Sequence, residues 1–181
     1  MGELLNKIDR FFFILINKTW HNAFLDIFFT FITEKKNWIL PLLVLVIFLI
    51  IYIKKSRIFL LVGLLSVLIT DQLTSNFIKD IIMRPRPFNS IPDTRLLVST
   101  GNFSFPSSHA ANIAGIALLA TLYYPKFTYI YWISVFLISY SRIYVGVHYP
   151  SDVLAGIFIG IICAWVLFKI SKLIVNDKYY E

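Results

Sequence analysis

Long apolar runs separated by short polar breaks set the pattern of this chain. The clearest run, 37–53, reads NWILPLLVLVIFLIIYI and is bracketed by Lys35-Lys36 and Lys54-Lys55. A second, 58–78, is broken only by Asp71, and others cover 110–124, Phe127 towards Val147, and 151–170. A helix crosses a bilayer core with about 20 apolar residues, in a range near 17–25, so each run reads as a span. Upstream, 20–33 is short and reaches span length only if its helix starts near Phe13. The pattern predicts an all-α, polytopic membrane helix bundle of about six transmembrane helices. At the N-terminus Leu4, Ile8, Phe11 and Leu15 fall on one helical face, which predicts an amphipathic helix lying on the membrane. Polar residues scattered through it, with no small-residue cleavage site after them, argue against a signal peptide.

Residues 83–108 break this pattern. They hold four of the seven prolines, with Asn, Ser and Gly around them. That is loop composition, and a long loop inside a compact domain is usually functional. The expected organisation is one integral membrane domain over 1–181, with the chemistry in 79–152 and an active-site loop at 83–108.

Composition supports the membrane reading: 58% of the 181 residues are apolar and only 15% charged. The net charge of +7 argues for anionic lipid headgroups as partners. The basic residues flank apolar runs instead of forming polar, aromatic-interleaved tracts, so nucleic acid is not expected. Cys163 is the only cysteine and reads as packing. With a cytoplasmic N-terminus, Lys and Arg bias groups Lys7, Arg10, Lys54, Lys55, Arg57, Lys126, Lys169, Lys172 and Lys178 on the cytoplasmic side. The long loop, on the other side, is basic too, against that rule, so its charges need their own reason.

Three clusters supply one. They are Lys79 with Arg86-Pro87; Pro106-Ser107-Ser108-His109; and Ser141-Arg142, His148 and Asp152. Each stands at the end or start of a predicted span, in an order that brings all three to one face. Lys79, Arg86 and Arg142 would repel one another there without an anion, and a doubly charged phosphate resolves this. Ser107 and Ser108 head an apolar helix, whose free N–H groups and dipole favour an anion. Two histidines can divide nucleophile and acid roles. Asp152, four residues beyond His148, can hold one ring nitrogen and leave the other free. Taken singly, each cluster also fits an ordinary role: a snorkelling lysine, a basic turn, a serine N-cap, a polar interhelical contact. Together they point to a site, since ionisable groups within a membrane are functional candidates by default. Arg84 and Arg95 fall outside the clusters and are expected to be solvated, or else to touch a second headgroup charge.

The three clusters resemble the signature of the type 2 phosphatidic acid phosphatase (PAP2) superfamily, K-x6-R-P, P-S-G-H and S-R-x5-H-x3-D. One position departs from it: Ser108 stands where glycine is usual. The resemblance implies a lipid phosphatase that works through a phosphohistidine and needs no metal or other cofactor. His148 would be the nucleophile, Asp152 its orienting carboxylate and His109 the acid on the leaving oxygen. Lys79, Arg86, Arg142, Ser107 and the Ser108 backbone would bind the phosphate. Overall resemblance points first to the 1-phosphate of lipid A as substrate, then to undecaprenyl diphosphate, with phosphatidylglycerol phosphate and phosphatidic acid also in the class. It implies a bacterial inner membrane, an active site facing the periplasm and no obligate protein partner. A protein of another class, transporting anions or lipids, would explain the cations but not the two histidines and the His148–Asp152 spacing.

Overall fold

The computed structural model describes residues 2–53, 56–101 and 103–175. Among these the chain is almost entirely helical. Helix α1 (Gly2–Ile14) runs into a π-helical turn, Leu15–Thr19, and is followed by α2 (Ala23–Thr33) and α3 (Lys36–Tyr52). Helix α4 (Ser56–Asp71) continues through a second π turn, Gln72–Ile78, into α5 (Lys79–Ile82). A short α6 (Pro87–Ser90) lies in the loop, and α7 (Ser108–Tyr123), α8 (Thr128–Tyr144) and α9 (Pro150–Ile174) complete the bundle.

These bounds follow the apolar runs closely. The stretch Ser56–Ile82 and helix α9 are each long and apolar enough to cross a membrane; α2 and α3 pass that test only as a pair bent by 49°. Helix α3 buries no residue among those described. In a bilayer such an apolar surface faces lipid, where a helix satisfies its own backbone.

The helix ends have local causes. Met83 caps α5 in the left-handed region (φ 49), its N–H donating to Lys79 O at 2.9 Å, and the Arg-Pro-Arg-Pro run cannot continue a helix. Helix α8 ends where Gly146 adopts φ +89; a Cβ there would lie 2.4 Å from Arg95 O. Pro150 opens α9 at its first turn, where a missing N–H costs nothing.

Helices α7 and α9 form the centre and cross on small residues. Ala110, Ala111, Ala114 and Ala117 are buried on α7, and Ala164 on α9. A Cβ on Gly156 would sit 2.4 Å from Ser107 O, and one on Gly160 2.0 Å from Ala111 O. Backbones this close gain dispersion contact that larger side chains would forbid.

The N-terminal segment differs from expectation in two ways. Residues 20–33 do not extend upstream into a straight span: the Leu15–Thr19 turn and a break before Ala23 intervene. Both ends of α2 instead meet the end of α8, through Asp26 with Tyr144 Oη (2.8 Å) and Thr33 with Arg142. Helix α1 lies on the face that carries His148, because Asp9 contacts Ser151; charge bias had grouped Lys7 and Arg10 with the opposite face. The apolar face read for the N-terminal helix is outward at Leu4, Ile8 and Phe11, which are exposed, but Leu15 falls in the π turn and is half-buried; Asp9 and Phe13 of α1, with Ile16 and Asn17 of the turn, are buried against the bundle.

Candidate active site

The three clusters meet at one end of the bundle. A cavity of about 390 Å³ there is lined by Lys79, Arg86, Ser108, His109, Arg142 and His148, together with Lys35, Asp71, Ser75 and Asp80. Lys79 arrives at the end of α4–α5, Arg86 on the loop, Ser108 and His109 on the first turn of α7, Arg142 at the end of α8 and His148 just before α9. Ser107 and Asp152, both fully buried, stand behind this wall.

His148 is 2% exposed. Its Nδ1 faces Asp152 Oδ2 at 3.6 Å, beyond hydrogen-bond range, and has no hydrogen-bond partner. Its Nε2 lies on the cavity side, 3.5 Å from Arg86 Nη1. Burial holds the His148 pKa well below the usual 6.5, and Arg142, Arg86 and Lys79 push it the same way. At neutral pH the ring is therefore uncharged, with an open nitrogen towards the cavity.

The phosphate-facing cations are fixed by neutral acceptors. Arg86 donates from Nε to Gly101 O (2.6 Å) and from Nη1 to Val147 O (2.7 Å). Burial lowers its pKa to about 10, partly offset by Asp152, so it stays cationic at neutral pH. Arg142 donates from Nη1 to Thr33 Oγ1, and its Nε is buried without a partner. Lys79 Nζ donates to Ser108 Oγ at 3.0 Å. The hydroxyls of Thr74 and Ser75 each lie 2.9 Å from that same oxygen, carried there by the π turn of α4–α5. π turns recur at functional sites, and nothing in the sequence pattern announced this one.

Ser107 caps α7, its Oγ accepting from Ala110 N–H at 3.5 Å. Its own N–H donates to Asp152 O at 2.9 Å, which ties α7 to α9 directly behind the cavity. A hydroxyl that accepts still has a proton to donate.

Two arginines expected to be solvated are not. Arg95 pairs with Asp26 at 2.5 Å. Arg84 reaches two carboxylates, Asp152 Oδ1 at 2.5 Å and Asp9 Oδ2 at 2.6 Å, and lies over the Tyr149 ring, 4.1 Å from its centroid. Burial disfavours its charge, but Asp152 and Asp9 outweigh that and raise its pKa. Among the described residues, no carboxylate stands within ion-pair distance of Lys79, Arg86 or Arg142, while Arg84 engages both Asp9 and Asp152.

A cavity edged by Lys79, Arg86 and Arg142, two imidazoles and the start of a helix can hold a doubly charged oxyanion and present a neutral ring nitrogen to it. Set in a helical membrane bundle, these features define a membrane enzyme of phosphate esters. Residues 60–175 match the PAP2 superfamily, and the chain belongs to it. It is a PAP2-type lipid phosphatase. It is 35% identical over 93% of its length to a lipid A 4'-phosphatase of Porphyromonas gingivalis, of which it covers 75%. It is 30% identical over 85% of its length to the undecaprenyl-diphosphatase BcrC of Bacillus subtilis, covering 79% of that protein. The crystal structure of Aquifex aeolicus LpxE superposes with a TM-score of 0.70 at 31% identity, over 87% of this chain and 93% of that one.

Proposed function

We propose that the protein removes a phosphate from lipid A, through a phosphohistidine on His148, at the periplasmic face of a bacterial inner membrane. The observation that carries the reaction is charge pairing. Lys79, Arg86 and Arg142, none of them ion-paired to a carboxylate among the described residues, converge on a cavity into which His148 turns its Nε2.

His148 Nε2 attacks phosphorus in line with the leaving oxygen. The bond from phosphorus to that oxygen breaks, and His109 protonates the oxygen. As the ring becomes cationic, Asp152 Oδ2 accepts a hydrogen bond from its Nδ1–H and offsets its charge, the 3.6 Å gap closing in that state. Water then attacks the phosphorus of the phosphohistidine, with His109 taking its proton; the bond from phosphorus to His148 Nε2 breaks, and inorganic phosphate leaves with the ring neutral again. The three cations and the Ser107 hydroxyl hold the non-bridging oxygens and stabilise charge in the transition state.

Lipid A is favoured by the relative named for it, which aligns over 93% of the chain, and that relative favours the 4'-phosphate over the 1-phosphate first expected. Undecaprenyl diphosphate is the second reading, supported by similarity to BcrC. The orientation fits the basic residues at the far helix ends, Arg57, Lys126, Lys169 and Lys172, which suit a cytoplasmic side.

The test is phosphate release by purified protein from lipid A, undecaprenyl diphosphate, phosphatidylglycerol phosphate and phosphatidic acid, with His148→Ala as control. Mass spectrometry of the product locates the lost phosphate. Activity on lipid A with loss at the 4' position, absent in His148→Ala, supports the proposal. Turnover by His148→Ala, or faster release from undecaprenyl diphosphate, overturns it.

A further inference from the structure

The proposed reaction leaves two groups without a role, one buried and one half-buried. Asp9, on α1, is 2% exposed, and Arg84 lies in the loop. Asp9 Oδ1 accepts the Ser151 N–H at 2.9 Å, and Oδ2 accepts both the Ser151 hydroxyl and Arg84 Nη2. Arg84 Nη1 donates to Ser151 Oγ at 2.7 Å and to Asp152 Oδ1 at 2.5 Å. The other Asp152 oxygen accepts the Tyr149 N–H at 2.8 Å. Phe13, one turn beyond Asp9 and fully buried, packs on the Tyr149 ring at 5.8 Å. Helix α1, the loop and the start of α9 are thus locked together around one carboxylate.

We infer that Asp9 and Arg84 are positioning residues, through which the N-terminal amphipathic helix fixes the Asp152 carboxylate behind His148. The inference rests on the reading of His148 and Asp152 as the nucleophile and its orienting group. Arg84 sets the carboxylate plane by holding Oδ1, so that Oδ2 points to His148 Nδ1. One guanidinium can do this only if its other edge is anchored, and Asp9 anchors it. Arg84 also offsets the Asp152 charge that His148 would otherwise face alone. A buried charge network loses much of its value when one member is removed.

The outer face of α1 gives this a membrane dimension. Leu4, Leu5, Ile8, Phe11 and Phe12 are exposed on the helix whose inner face carries Asp9. That surface suits the acyl–headgroup boundary, on the same face of the bundle as the cavity. One helix thus turns a lipid-suited face outward and carries the anchor of the carboxylate clamp on its inner face.

The experiment compares wild type, Asp9→Asn, Arg84→Gln, Arg84→Lys and the Asp9→Asn/Arg84→Gln double variant, with His148→Ala as control. Each is the full chain, purified and assayed for phosphate release from lipid A across pH. His148 faces Arg142 of α8, Arg86 of the loop, Lys79 of α5, His109 of α7 and Asp152 of α9. None of these changes, so phosphate affinity persists. The expected result is kcat lower by about 10- to 100-fold in Asp9→Asn and Arg84→Gln, with KM within about threefold of wild type. The double variant loses no more than Arg84→Gln alone, because the two residues act as one unit. In Arg84→Gln the acid limb of kcat/KM moves up by about one pH unit, since Asp152 then faces His148 with its charge unopposed. Arg84→Lys, with one donor group in place of a two-edged fork, restores part of the limb's position but little of kcat.

A role in folding alone removes active protein equally at every pH and leaves the limb and KM in place; that result overturns the inference. Should Asp9→Asn fail to accumulate, Arg84→Lys decides by the same two readouts. Wild-type kcat in both single variants beside an inactive His148→Ala also overturns it, and leaves the catalytic reading intact. Activity in His148→Ala overturns that reading instead.

Discussion

Replacing Gly156 by alanine tests the geometry of the site without touching a catalytic group. The new Cβ would lie 2.4 Å from Ser107 O and 3.4 Å from Ala110 Cβ. Ordinary contact begins near 3.4 Å, so α9 and the head of α7 must part by about 1 Å. The obstructing atom is backbone at a helix start and has no rotamer by which to yield. At this crossing the Ser107 N–H donates to Asp152 O at 2.9 Å, and a further 1 Å breaks that bond. Asp152 would then move relative to the α7 turn that carries Ser108 and His109. Overpacking of this kind costs about 1–3 kcal/mol, and a 1 Å misplacement at a reacting centre costs on the order of 100-fold in rate. The assay is kcat/KM for phosphate release in detergent, with a thermal melt on the same preparation. The control is Gly63→Ala, whose Cβ meets only the Ile116 Cδ1 end at 3.2 Å; a flexible side chain gives way, and the rate stays within about twofold. A folded Gly156→Ala with wild-type kcat/KM refutes the reasoning.

Two further outcomes follow from the same geometry. Burial and the three cations lower the His148 pKa, and the ring attacks only when unprotonated. The acid limb of kcat/KM therefore lies well below pH 6.5, with activity lost as pH falls through it; a profile from about pH 4 to 9 checks this, and an acid limb at or above 6.5 contradicts it. Ser108→Gly, which installs the residue usual in the family, removes the 3.0 Å partner of Lys79 Nζ. Steady-state kinetics should show KM up by about tenfold with kcat nearly unchanged, the loss expected for a hydrogen bond to a charged group; an unchanged KM means that the hydroxyl does not serve Lys79.

The parts of this site that were legible in the sequence share one property: their partners are near in the chain or sit at a helix end. His148 and Asp152 are four residues apart on either side of Pro150, so a helix start fixes their relation. Lys79 and Arg142 stood out because charge is costly at the end of an apolar run, and Arg86 by its spacing from Lys79 in the signature. The helices α3, α4–α5, α7, α8 and α9 were legible for the complementary reason, since apolar runs mark them, although of these only α4–α5 and α9 are by themselves long and apolar enough to cross a membrane. Helix α2 was not: eleven residues fit a short span or a surface helix equally well by composition. Its placement depends on Asp26 and Thr33 finding Tyr144 and Arg142, and the chain pattern holds no record of such pairings.

Asp9 shows the same limit more sharply. It is separated by 75 residues from Arg84 and by 142 from Ser151, and in sequence it is one polar residue on a helix read by its apolar face. By residue type Arg84 and Arg86 look alike, two arginines in one RPRP run, and only the spacing of the signature singled out Arg86. Their fates diverge because carboxylates reach one and not the other. Arg84 is held by Asp9 and Asp152 and so has no charge left to offer an anion. Arg86 is held by the carbonyls of Gly101 and Val147, which fix its position and leave its charge uncompensated. Residue type therefore identifies a cation, but pairing decides whether it binds substrate or builds the site, and pairing exists only once the helices have packed.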